Sequence, residues 1–183
     1  MSEIFFAKYY KFYRYRKELK EIDSKFTVPN GFKIKELNPN EDYEKFKSAW
    51  LKIYSKILPE PYIKFKKEDL LKYPKTFVLE NSNDEIVGFI VCYIKEKEKM
   101  GKILRIGVQE NYRKKGFGLL LYHKGCEYFL QNKITNIYFD VYEDDLGLSK
   151  LAKKAGFEKE EEFFITIDDP VENFINLSTI MSL

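Results

Sequence analysis

Residues 111–122 read NYRKKGFGLLLY: three consecutive cations, Arg113, Lys114 and Lys115, then Gly116 and Gly118 one residue apart, then leucines. A strand ending at Val108, a short loop and a helix opening at Gly116 set the backbone N–H groups of residues 114–118 at a helix N-terminus, unpaired and positively polarised. Such a terminus binds phosphate. The two glycines let an anion approach the main chain without a Cβ in the way, and the cations add charge at the rim. The chemistry this pattern suggests is the binding of a pyrophosphate.

Two nucleotide patterns are excluded. The P-loop sequence G-x-x-x-x-G-K-[ST] is absent, and G-x-G-x-x-G fails because Leu121 stands where its third glycine belongs. Metal chemistry has little support: His123 and Cys126 lie three apart on one predicted helix without further ligands, which reads as core packing. Cys92 and Cys126 are the only cysteines and form no C-x-x-C pair, so neither a disulfide framework nor a thiolate metal site is expected, and a reducing compartment fits. Lys+Arg 32 against Asp+Glu 29 leaves a charge of +3, far from a dedicated nucleic-acid binder.

The elements that must position the glycine stretch follow from periodicity and punctuation. The 183 residues suit one domain with a real core. Residues 4–22 carry Phe5, Tyr9, Phe12 and Leu19 at helical spacing with aromatic neighbours, so the N-terminal 27 residues are expected to be a helical extension packed on a domain spanning 28–183. A short strand over 32–36 precedes a helix begun by Asn38-Pro39-Asn40-Glu41, with Tyr43, Phe46, Trp50, Ile53 and Ile57 as its core face and Pro59 and Pro61 as its stop. A helical piece over 67–73 ends at Pro74. Strands are expected over 76–80, 86–94 and 103–108, then a helix from Gly116 to about Gln131, a strand over 136–142, a helix capped by Asp144 and Asp145 and stopped by Gly156, and a strand over 163–167. Asp169-Pro170 opens a short C-terminal helix with Val171, Phe174 and Leu177 on one face. The order gives a mixed α/β sheet in which the helix after Gly116 crosses between two parallel strands. The N-terminus has no uninterrupted apolar stretch of a signal peptide, and no run reaches about eighteen apolar residues, so a cytoplasmic protein with no membrane partner is expected. The abundance of Lys, Glu, Ile and Tyr with few Gln hints at a heat-adapted, thermophile source.

Read after a strand, Arg113-Lys114-Lys115-Gly116-Phe117-Gly118 fits [RQ]-x-x-G-x-[GA], and with Val108 and Tyr112 before it the segment resembles the acyl-CoA-binding motif of the GNAT acetyltransferase superfamily. Downstream, Val141, Asp145, Leu148, Leu151 and Gly156-Phe157 keep the family's spacing, so the resemblance covers about 32–167. It implies a GNAT-like N-acyltransferase fold and acetyl-CoA as co-substrate. It further implies that Ile106, Gly107 and Val108 lie on a strand splaying from the 136–142 strand, opening a V-shaped cleft for the pantetheine arm. The amides of Arg113 to Gly118 would then hold the pyrophosphate, and an acyl group would be presented to an amine.

Two family positions differ. The usual Asn is Asp145, and the usual helix Tyr, proposed in the family to protonate the departing thiolate, is Ala152, which has no proton to give. Water, Ser149 one turn earlier, or Tyr142 on the preceding strand are the substitutes. Asp140, Glu143 and Glu80 are the carboxylates near the cleft that the sequence offers as a base. The resulting expectation is an N-acetyltransferase acting by direct attack of a primary amine of unknown identity, the alternative being a non-catalytic acyl-CoA-binding or regulatory module. The basic-aromatic N-terminal segment is expected to pack on the domain, or on a second subunit in a homodimer, rather than on nucleic acid.

Overall fold

The computed structural model describes residues 9–20, 26–58, 63–64, 66–72 and 75–166. Seven strands form one mixed sheet with the order β2-β3-β4-β5-β6-β1-β7. In chain order these are β1 (Tyr9–Glu18), β2 (Phe32–Glu36), β3 (Lys75–Asn81), β4 (Ile86–Lys95), β5 (Met100–Val108), β6 (Asn136–Tyr142) and β7 (Glu158–Thr166). Four helices accompany them: α1 (Pro39–Tyr54), α2 (Lys67–Lys72), α3 (Phe117–Gln131) and α4 (Leu146–Lys154). Every described strand pair is antiparallel except β5–β6, the pair that α3 connects. The mixed α/β architecture expected from the sequence is therefore present. The stops at Pro59, Pro61 and Pro74, the end of the last strand at Ile167 and the C-terminal helix after Asp169-Pro170 lie outside the described residues.

The central strands read as nearly continuous apolar runs because both faces of the sheet are covered. Phe89 and Val91 of β4 face α1, where they meet Phe46, Trp50 and Ile53. Ile90 and Cys92 face α3, where Leu121, Cys126 and Phe129 pack. Trp50 lies 5.5 Å from Phe89 at 6°, and the fully buried large side chains of α1 each contribute about 1.5–3 kcal/mol relative to exposure. Asn38 caps α1, its side chain accepting from the Asn40 N–H, with Pro39 in the first turn. The two sheet edges, FKIKE in β2 and EKEEEFFIT in β7, are rich in charge, which discourages edge-to-edge pairing.

The N-terminal segment corrects the expectation of a helical extension. Tyr9–Glu18 is a strand inside the sheet, antiparallel to both β6 and β7. Tyr10 and Phe12 are buried on one face, and Tyr15 and Leu19 join the core on the other. With both faces covered, aromatics stand on both sides of the strand and the alternation of a one-sided strand is lost, so the spacing mimics a broad helical face. Its cations are spent on neighbours: Lys11 pairs with Glu162, Arg14 with Asp140 and Glu161, and Arg16 with Glu160. The chain after β1 also covers α3, where Phe26 stacks on His123 at 3.4 Å between ring centroids.

A chain lacking residues 1–18 leaves β6 and β7 with no strand between them. We expect it to lose the cooperative thermal transition of the full chain in far-ultraviolet circular dichroism; an unchanged transition would show that this strand is dispensable.

Candidate active site

β5 and β6 run as a ladder only over Met100↔Asn136, Gly101↔Ile137 and Lys102↔Tyr138, and beyond that they part. The departure has a visible cause. Against β4, Arg105 pairs with Val91 and Ile103 with Cys92, so Leu104 is an extra residue on β5, a bulge that re-aims the strand just past the last β6 pair. At the apex the strands are joined by charge. The Asp140 carboxylate accepts from Arg14 Nε at 2.8 Å and lies 3.0 Å from Lys102 Nζ, with all three side chains largely buried. The Tyr138 ring lies 4.9 Å from the Arg14 guanidinium and 5.3 Å from Lys102 Nζ. Burial pushes the Lys102 ammonium below its ordinary pKa, and Asp140 pulls it back up.

The V-shaped cleft is lined on the β5 side by Ile103, Arg105 and Ile106, on the β6 side by Phe139 and Tyr142, and by Phe12, Tyr54 and Leu148 from β1, α1 and α4. Gln109 N–H donates to Val87 O, so Gly107 and Gln109 direct their main-chain groups at β4. By strand alternation Ile106 and Val108 direct theirs into the cleft. Both of those carbonyls have partners: Tyr54 Oη donates to Ile106 O at 2.9 Å and Arg113 Nε to Val108 O at 3.0 Å.

At the open end of the cleft stands the glycine loop. A 3-10 turn over Glu110–Tyr112 leads into it, and Asn81 Nδ2 donates to Tyr112 Oη at 3.0 Å, tying the turn to the β3–β4 hairpin. Lys114 and Gly116 have φ of 61° and 83°, left-handed conformations that glycine adopts freely and lysine at a cost. Gly116 is the N-cap of α3 and supplies no side-chain cap, so the first-turn amides remain available. A Cβ at Gly118 would meet only Leu151, at 3.8 Å, which leaves the main chain open there. Lys114, Lys115 and Gly116 are exposed. These features fit a diphosphate.

The remaining sequence-selected residues divide. Asp145 lines the cleft and caps α4, accepting from Leu148 N–H at 2.9 Å; burial raises its pKa, while that bond and Arg113 oppose the rise. Tyr142 lines the cleft, whereas Ser149 is half-buried on α4 and is not among the lining residues. Ala152 is wholly buried in the core. Glu143 is exposed, and Glu80 is buried on β3 between Lys33 and Lys35, away from the cleft. Four contributors escaped sequence reading: Phe12 and Arg14, assigned to a helix; Lys102, hidden in a charged stretch; and Tyr54, beside the apolar face of α1. The strict helical step from Trp50 to Tyr54 was a usable signal for the last.

With this geometry in view, the comparisons with known proteins are direct. Residues 42–157, more than half of the chain, match the model of the Acetyltransferase (GNAT) family. The chain belongs to the GNAT acetyltransferase family. The family's common chemistry is acetyl transfer from acetyl-CoA. A GCN5-related N-acetyltransferase from Sphaerobacter thermophilus has the same fold, with a TM-score of 0.68 at 14% identity over 88% of this chain and 54% of that one. The PaiA N-acetyltransferase of Thermoplasma acidophilum, solved in complex with coenzyme A, gives 0.59 at 23% identity over 70% and 91%. A GNAT acetyltransferase from Staphylococcus aureus Mu50 gives 0.60 at 17% over 75% and 99%. The chain spans 54%, 64% and 51% of the lengths of the first three structures it resembles. No curated protein matches the sequence. β1, with Phe12 and Arg14, lies outside the family match. Among the described residues no helix is long and apolar enough to cross a membrane, and no three His, Cys, Asp or Glu side chains gather as metal ligands do.

Asp140→Ala would leave two buried cations without their shared carboxylate. We expect a loss of about 3–5 kcal/mol in urea unfolding, the usual cost of removing one partner from a buried pair; a loss below about 1 kcal/mol would mean the apex is held by packing alone.

Proposed function

We propose that the protein transfers an acetyl group from acetyl-CoA directly to a primary amine in a ternary complex. The observation that carries this reading is the parting of β5 from β6 beside an uncapped, glycine-opened helix N-terminus. In this reading the Ile106–Val108 edge receives the pantetheine amides, and the first-turn amides of α3 with Arg113, Lys114 and Lys115 receive the pyrophosphate, Gly116 and Gly118 leaving it room. Phe117, buried beneath the loop, holds the helix end against the core. Arg113 would exchange the Val108 carbonyl for phosphate oxygens, a stronger charge-assisted bond. Asp145, engaged as the α4 cap, keeps that helix beside the cleft in place of the family's Asn.

The amine must arrive neutral. Both oxygens of Asp140 face cations, so the amine gives its proton to solvent at the mouth, near the exposed Glu143. Tyr142 is the better placed of the two hydroxyls first considered, since Ser149 stands off the lining. Acceptor selection falls to the α1–α2 region and the β1–β7 side, and the enzyme is read as cytoplasmic. One observation favours a second reading: with Ala152 wholly buried, the family's proton donor on α4 is missing, which suits a non-catalytic acyl-CoA-binding module. A screen of amines and peptides for release of free thiol from acetyl-CoA separates the two, since a binding module releases none.

CoA affinity should depend on backbone access more than on any one cation. Gly118→Val should fold, because a Cβ there makes only an ordinary contact with Leu151, and should weaken CoA binding by at least about 2 kcal/mol as phosphate oxygens lose their hydrogen bonds. Arg113→Ala should cost on the order of 1 kcal/mol. Calorimetric titration with CoA at fixed salt measures both, and parental affinity in a folded Gly118→Val protein would reduce the loop to a helix cap.

A further inference from the structure

Tyr54 is the last residue of α1 and is 2% exposed, its ring edge-on to Trp50 at 4.9 Å and to Phe89 at 5.9 Å. Tyr54 is nevertheless among the residues that line the cleft, and its hydroxyl reaches the β5 edge because the strand offers no side chain in its path. A Cβ at Gly107 would lie 3.2 Å from Tyr54 Oη and 2.6 Å from Ile53 Cγ2. Glycine at that one position admits the phenol to the β5 edge, where it donates to the Ile106 carbonyl. Among the described residues that line the cleft, Tyr54 and Tyr142 carry a hydroxyl. Tyr142 ends β6, is half-buried, and its pKa is raised by burial and by a bond to Asp144. Tyr54 is fixed on three sides by aromatic and strand atoms, and burial holds its hydroxyl far above the ordinary phenol range, so it stays protonated.

We propose that the Tyr54 hydroxyl is the hydrogen-bond donor to the sulfur at the reaction centre, a role that Ala152 leaves vacant on α4. The inference rests on the acetyltransferase reading. The acceptor nitrogen forms the new C–N bond with its lone pair, the C–S bond breaks, and its electron pair departs on sulfur. As negative charge gathers there, the Tyr54 O–H turned toward the cleft donates to it and keeps its proton; the thiolate is then protonated by solvent, to which the amine's proton has gone. With the phenol ring fixed by packing, only the O–H must rotate from the carbonyl, and its bond to an anion is stronger than its bond to a neutral carbonyl. The Ile106 carbonyl then serves the incoming pantetheine.

Tyr54→Phe removes one oxygen and keeps the ring packing. Acetyl-CoA affinity by titration should change less than about two-fold, the acceptor KM should hold, and kcat should fall about 100- to 1,000-fold, the range for loss of one preorganised donor. A kcat equal to the parent's, or a rise in acetyl-CoA Kd that matches the fall in kcat, would make the hydroxyl a strut of β5 and overturn the proposal. Should Tyr54→Phe fail to fold, 3-fluorotyrosine at position 54 keeps the hydroxyl and changes its donor strength. A kcat shifted at unchanged Kd then supports the role, and an unchanged kcat overturns it. A parent protein that binds acetyl-CoA and acetylates no amine ends the acetyltransferase reading and this inference with it, whereas an active parent matched by Tyr54→Phe ends the inference alone.

Discussion

A cleft between two strands of one sheet needs them joined at one end and free at the other, and here a single buried carboxylate meets that need. Asp140 sits between Lys102 of β5 and Arg14 of β1, two residues past the last β5–β6 rung, where the strands begin to part. Backbone pairing cannot hold strands beyond the bulge at Leu104, so the side chains take over at the apex. Burying three charges is costly, and apolar substitutes often match such a cluster in stability. What the ions add is direction: a carboxylate with two oxygens and two partners fixes which strands meet and at what register.

The remaining cleft geometry follows from that divergence. Once β6 turns away, the outward groups of Ile106 and Val108 have no strand to bond, and the hydroxyl of Tyr54 and the guanidinium of Arg113 satisfy their carbonyls instead. The edge carbonyls are thus satisfied by groups that a ligand can displace. Each comes from a different part of the chain, so α1 and the glycine loop are both coupled to the one strand edge that faces the cleft.

What the sequence disclosed was what is encoded locally. The glycine loop, α3 with its start at Gly116, and α4 between Asp145 and Gly156 all carry caps and stops within a few residues of where they act, and their bounds lie within a residue or two of the expected ones. The strand at 136–142 was legible as a short apolar run of strand length. β1 was not, because a strand covered on both faces shows no period of two, and its aromatics fell by chance near a period of 3.6. Lys102 and Arg14 were illegible for a different reason: in a chain one-third charged, a cation destined for burial looks like its solvated neighbours until the partner, far along the chain, is known. Tyr54, next to Ile53 on the helix but outside its expected apolar face, was passed over, and only the missing side chain at Gly107 reveals that its polar end matters.

The placement of β1 also sets a timetable. Arg14 and Asp140 are 126 residues apart, and β7, the other neighbour of β1, is made later still. At about 5–20 residues per second on the ribosome, the first strand synthesised waits roughly 6–25 s before its β6 partner exists. During that interval YYKFYRYRKE is an aromatic segment with both hydrogen-bonding edges bare, a ready substrate for chaperones or for wrong pairing. The cations spaced through it, of which Lys11, Arg14 and Arg16 are later matched to β6 or β7 acids, keep it solvated meanwhile, so residues that close the sheet at the end also guard it at the beginning.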